Sequence, residues 1–112
     1  MKKRPLCALD ELKKGDARGY STISSRGKEV SLIVVRRGED VHVYLNHCPH
    51  TGVSLEWQPD QFFDMEGTFL QCATHGALFR PEDGYCVSGP CAGDSLQPVS
   101  AWVSEGWVVV ET

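Results

Sequence analysis

Two short stretches bring sulfur and imidazole together. Asn46 to Gly52 reads NHCPHTG, which sets Cys48 and His50 two apart with Pro49 between them. Further along, Cys72 to Gly76 reads CATHG, with Cys72 and His75 three apart. Either pair alone is weak, because a cysteine and a histidine fall this close by chance. Together, each beside a glycine, they describe two tight loops offering one thiolate and one imidazole apiece to a common centre. That donor set suits zinc or an iron–sulfur cluster. The order separates the two. Structural zinc sites of the two-cysteine, two-histidine type usually draw like ligands from one element. A two-iron centre whose irons each hold like ligands needs both loops to reach both irons, and mixed loops suit that geometry. Zinc remains open on spacing alone, as the staple of a binding module without redox function.

The elements that must carry these loops read as short strands. Residues 30–36 and 41–45 are β-branched and aromatic-rich and flank the turn signal RGED, so they form a hairpin. Within 41–45, Val41, Val43 and Leu45 alternate with His42 and Tyr44. Residues 67–72 and 77–80 predict two shorter strands around the second loop, and 17–24 an edge strand. Residues 96–104 and 106–111 form a terminal hairpin turning at Glu105-Gly106, and 8–14 make one short helical turn. No segment sustains a helical period. Many short strands punctuated by Gly and Pro argue an all-β sandwich or small barrel. Residues 46–95 read as a loop-rich insert on that framework. Trp57, Trp102 and Trp107 are expected in core or half-buried positions, since aromatics dominate small cores.

At 112 residues there is room for one core. A net charge of −4 argues against nucleic acid, which needs a basic surface. The opening MKKRP has the basic start of a signal peptide, but only residues 5–9 are apolar before Asp10, well short of the roughly 7–15 required. No stretch approaches the ~20 apolar residues of a membrane span. The expectation is a cytosolic chain with no membrane contact. Five cysteines, an odd number, are a poor disulfide framework in a reducing compartment and fit metal binding better.

CPHTGVSL followed by CATHGALF resembles the Rieske pattern Cys-x-His … Cys-x-x-His-Gly. With the surrounding HGALF, DGYC and GPC elements, the similarity extends over residues 46–99 to Rieske-type ferredoxins, electron carriers of bacterial ring-hydroxylating dioxygenase systems. The resemblance implies one domain over 1–112 in the Rieske fold: an antiparallel β-sandwich or barrel with a cluster-binding subdomain, about 46–91, inserted as two facing loops. It implies a [2Fe-2S] cluster with Cys48 and Cys72 on one iron and His50 and His75 on the other, imidazole tips toward solvent. It implies a one-electron carrier rather than an enzyme, taking electrons from a flavin reductase and giving them to a terminal oxygenase. A monomer is expected. The small Rieske component of a nitrite reductase is the alternative. No triad or paired-carboxylate site can be assembled from the sequence.

The histidines set the charge. Two ferric ions, two sulfides and two thiolates sum to zero, whereas four thiolates leave a dianion, which resists an electron more strongly. The potential therefore rises into a window of about −150 to +300 mV, against about −400 mV for the four-cysteine form. High-potential respiratory members of the family carry a serine and a tyrosine where this chain has Ala77 and Phe79, and staple their loops with cysteines where it has Val53 and Thr74. Both departures place the expectation at the lower end, about −150 to 0 mV. The SGP stretch, Ser88 to Pro90, resembles the family's covering loop. Cys86 and Cys91 read as small buried thiols, with a redox-active disulfide as the competing reading, and Cys7 as a free thiol. His42 and His47 fall outside the two-loop spacing, and His47 is expected in a surface or structural role, with a place close to the cluster as the competing reading. Residues 56–67 read as an acidic excursion with one of Phe62 and Phe63 tucked inward, or as a recognition loop.

Overall fold

The structure, a computed structural model, describes residues 3–13, 15–47, 62–63, 67, 69–72, 76–89 and 92–112. In chain order the strands are β1 (Lys3–Ala8), β2 (Ala17–Ile23), β3 (Glu29–Arg37), β4 (Asp40–Leu45), β5 (Leu70–Gln71), β6 (Leu78–Phe79), β7 (Cys86–Ser88), β8 (Pro98–Val99), β9 (Ala101–Ser104) and β10 (Trp107–Glu111). They build three antiparallel sheets, ordered β1-β10-β9, β2-β3-β4-β8 and β5-β6-β7. No α-helix occurs among the described residues; the helical turn expected at 8–14 is a 3₁₀ turn over Leu9–Glu11. The all-β architecture expected from the sequence is observed.

The middle sheet is covered on both faces, and β3 shows why. Leu32, Ile33, Val34 and Val35 are all fully buried. Leu32 and Val34 join one core with Val43, Val108 and Val110, toward the β1-β10-β9 sheet. Ile33 and Val35 join another with Tyr44, Leu70, Cys72 and Phe79, toward the β5-β6-β7 sheet. An uninterrupted apolar run is the mark of a strand buried on both sides. The alternation expected in β4 therefore does not divide core from solvent: Val43 and Tyr44 are both buried, on opposite faces.

Two differences from the sequence reading concern the ends of the chain. The single strand expected over 96–104 divides at Ser100, where the chain passes from β4's edge to β10's. Strand β1 was not predicted, since Lys3, Arg4 and Pro5 carry no strand signal. The terminal turn falls where expected, with φ of 50° at Glu105 and 79° at Gly106. The expectation for Trp102 and Trp107 is corrected: they are 37% and 49% exposed. Val108 and Val110 take the inward positions of β10, and the two-residue period sends Trp107 outward. In β9, Ala101 and Val103 pack inward and Trp102 faces out, with the Lys3 ammonium 5.8 Å from its ring centre. Trp57 lies outside the described residues.

Arg36 closes the apolar run of β3 and is itself 7% exposed. Its guanidinium donates to the carbonyls of Leu9 (3.2 Å), Leu12 (2.8 Å) and Gly38 (2.8 Å) and to Glu39. A buried charge is tolerated when its donors are met, and here they anchor the segment between β1 and β2.

Candidate metal centre

The second predicted loop grows from the β5–β6 hairpin, in which Leu70 opposes Phe79 and Gln71 opposes Leu78. The pairing continues one step further: the Cys72 N–H donates to the Ala77 carbonyl at 2.9 Å. The Gly76 N–H then donates back to the Cys72 carbonyl at 2.9 Å, and Gly76 holds φ at +68°, which suits glycine. Cys72 thus sits fully buried at the root of a tight turn, in a core shared with Ala77, Phe79 and Leu70. Residues 73–75, including His75 and Thr74, lie outside the described residues.

The first loop leaves β4 through a series of backbone ties. Leu45 N–H donates to Gln97 O at 2.9 Å, and Asn46 N–H to Ser31 O at 3.0 Å. Asn46 is 7% exposed, and its amide also reaches the Ser31 hydroxyl at 3.4 Å. His47 follows, with its N–H on the Leu45 carbonyl at 2.9 Å and its side chain exposed, as expected. The chain is therefore pinned up to the residue before Cys48. Cys48, Pro49, His50, Gly52 and Val53 lie outside the described residues. Among the described residues no three His, Cys, Asp or Glu side chains converge on a metal-sized site.

What surrounds Cys72 fits an iron–sulfur centre of the kind read from the sequence. A thiolate in an apolar core is costly unless a cation neutralises it. Ala77 and Phe79 are 1% and 0% exposed, and neither carries a hydroxyl to donate toward the loop. Over this loop lies the segment entering SGP. Gly89 has φ of +104°, and a Cβ there would stand 2.8 Å from Ala77 Cα. Only a residue without a side chain lets the backbone rest this closely on Ala77. Beyond it, Ala92 N–H donates to Gly89 O at 3.1 Å and Gly93 N–H to Cys86 O at 3.2 Å, closing a compact turn. Cys86 is 1% exposed, in accord with a small buried thiol, and donates its S–H to Ser88 O at 3.3 Å. Pro90 and Cys91 lie outside the described residues.

In the 56–67 excursion, Phe62 is the aromatic tucked inward, at 1% exposed, and its carbonyl accepts from Gln71 N–H at 2.7 Å. Three residues that sequence reasoning missed hold the hairpin in place. Tyr44 is buried and donates its hydroxyl to Pro81 O at 2.8 Å. Burial pushes its phenol well above the ordinary range. Gly84, with φ of +73°, lies against the Tyr44 ring. Its signal in the sequence was the Asp83-Gly84 dipeptide, a turn former. Arg80 forks onto the Asp83 carboxylate, holding that carboxyl below its usual range. His42 is half-buried along a groove of about 420 Å³ that also borders Tyr44, Glu82 and Asp83.

Comparison with known proteins agrees with this geometry. A family model for the Rieske [2Fe-2S] domain matches residues 2–103. The chain is 35% identical over 111 residues to cholesterol 7-desaturase nvd of Hemicentrotus pulcherrimus, an alignment taking in 96% of this chain but 21% of that protein. The chain thus spans about a fifth of the length of that curated relative. Among solved structures it superposes, with a TM-score of 0.73 and 27% identity, on a chain in the complex of reduced oxygenase and oxidized ferredoxin in carbazole 1,9a-dioxygenase, covering 97% of this chain and 92% of that one. It shares the fold of the Sphingomonas yanoikuyae B1 ferredoxin, with a TM-score of 0.75, 23% identity and 99% of each chain covered. The buried cysteine at the hairpin root, the glycine-permitted cover and the match across most of the length lead to one conclusion: the chain belongs to the Rieske [2Fe-2S] domain family.

Proposed function

We propose that the chain is a one-electron carrier in which Cys48 and Cys72 hold one iron of a [2Fe-2S] cluster and His50 and His75 the other. In this reading the domain spans 1–112, and the subdomain of about 46–91 presents the two loops. When bound, the cluster takes up and releases a single electron. The protein's own contribution is to hold two loop roots rigid, exclude water with the Gly89 segment and withhold hydroxyl donors at Ala77 and Phe79. The observation that carries the reading is the family match over residues 2–103, with Cys72 of the second motif held at a hairpin root by its N–H and carbonyl. The electron would come from a flavin reductase and pass to a terminal oxygenase in the cytosol. Similarity to a chain from an oxygenase–ferredoxin complex, nearly all of which it covers, supports this.

A second reading follows from the 35% identity to a desaturase five times longer: the same domain would serve as the electron-entry module of an oxygenase-type enzyme. Anaerobic titration of the purified chain tests both. A visible spectrum, acid-labile sulfide and a rhombic paramagnetic signal after dithionite are expected, and their absence refutes the cluster. Reoxidation by a separate oxygenase supports the carrier; failure with every separate oxygenase, with turnover only as part of a longer polypeptide, supports the module.

A further inference from the structure

We propose that Tyr44 braces the strand entering the first ligand loop against the far turn of the hairpin that follows the second, an inference that rests on the cluster reading above. Tyr44 stands four residues before Cys48, and Pro81 six after His75. The Tyr44 hydroxyl donates to the Pro81 carbonyl at 2.8 Å in a buried position, joining β4 to a turn far along the chain. Each end of this bond is rigid. Tyr44 lies on β4, paired to β3 through Ile33 and to β8 through Pro98. Pro81 begins a turn closed by Gly84 N–H to Arg80 O at 2.8 Å and Arg80 N–H to Tyr85 O at 2.9 Å. That turn closes the β6–β7 hairpin at the end away from Cys72. The ring fills the remaining space: a Cβ on Gly84 would meet Tyr44 Cε1 at 2.9 Å. Leu96 N–H to Gly84 O at 2.9 Å holds the turn from the other side.

A centre gripped by two loops tolerates little change in their separation. β4 runs directly into the first loop and β6 directly out of the second. The hydroxyl therefore ties β4 to the β5-β6-β7 sheet, whose β5 leads into Cys72. The Arg37–Glu82 ion pair reaches the same turn, but both side chains are exposed and such pairs add little.

Tyr44→Phe keeps the ring and removes the tie. Hydrogen exchange read by mass spectrometry on the full chain is expected to rise about tenfold, the equivalent of about 1.4 kcal/mol, in peptides covering 76–86. Peptides covering 101–111 are expected to stay unchanged. Gly27→Ala, in the distant β2–β3 turn, gives the pattern of a purely global destabilisation. Iron release from reduced Tyr44→Phe protein to a ferrous chelator is expected to accelerate by a similar factor, and Gly27→Ala to leave it unchanged at equal folded fraction. No change in exchange, or an equal change in both regions, overturns the brace. Wild-type protein lacking acid-labile sulfide overturns the ligand assignment instead, and the exchange pattern still decides the brace.

Discussion

Gly84→Ala is expected to be among the costlier single-methyl additions in this chain, and the structure separates the reasons. The first is backbone conformation. Gly84 holds φ at +73°, and an L-residue in the left-handed region loses roughly 1–2 kcal/mol. The second is space. The new Cβ would meet Tyr44 Cε1 at 2.9 Å, Leu96 Cβ at 3.1 Å and Tyr44 Cδ1 at 3.2 Å. None of these can retreat easily, because the Tyr44 ring is pinned by its hydroxyl on Pro81 and Leu96 is fully buried. Overpacking of this kind costs about 1–3 kcal/mol, for a total of about 2–5 kcal/mol. Gly27→Ala isolates the first part: its φ is +78°, and nothing stands within 4 Å of the added Cβ. It is expected to lose only the conformational part, about 1–2 kcal/mol. At about 4 °C per kcal/mol for a domain of this size, the melting temperature falls by about 8–20 °C in Gly84→Ala and about 4–8 °C in Gly27→Ala. Thermal melts and guanidinium titrations on variants of matched iron content give both numbers. If the two variants lose the same stability, the Tyr44–Gly84 contact carries no packing cost and the reasoning is wrong.

Three further outcomes are expected. The wild-type midpoint should lie between about −150 and 0 mV, and Ala77→Ser should raise it by about 20–60 mV, one net hydrogen bond converted for a one-electron couple; protein-film voltammetry reads both, and a wild-type value above about +150 mV contradicts the argument from Ala77 and Phe79. Arg36→Met should cost about 2–4 kcal/mol in guanidinium titration, because the Leu9, Leu12 and Gly38 carbonyls lose their donor; a loss under 1 kcal/mol would show that water replaces it freely. Stability should decline as pH rises above 9: burial raises the Cys7 thiol from its ordinary 9.0 and the Tyr20 and Tyr44 phenols from 10.0. The unfolded chain then releases protons the folded one keeps, so the stabilisation is present below those values and lost above them. Melts from pH 8 to 11 should show a shallower alkaline limb in Cys7→Ala, and an unchanged slope would exclude the thiol as a source.

What the sequence revealed and what it hid divide along one physical line. The family motif was legible because it is local: Cys-x-His and Cys-x-x-His-Gly are set by a few adjacent residues, and so is the Glu105-Gly106 turn. The run from Leu32 to Val35 was legible as a strand, and the structure shows why it lacks alternation: it is covered on both faces. The two-residue period found the strand at β4 but could not show that both Val43 and Tyr44 are buried, because a core lies on each side. The period also turned Trp102 and Trp107 outward, against the expectation that aromatics fill small cores. The ties between distant segments were not legible at all. Tyr44 with Pro81, and Arg36 with Leu9 and Leu12, join residues far apart in the chain, and one phenol or one arginine in a strand carries no sign of the carbonyl it will meet. The asymmetry has a chemical consequence. A chain carrying both Cys/His motifs but lacking the Tyr44–Pro81 tie would still read as a cluster protein, yet β4 would no longer be fastened to the β6–β7 turn. The motif therefore names the candidate ligands, while in the brace proposed above the buried hydrogen bond behind it governs how firmly iron, once bound, is kept.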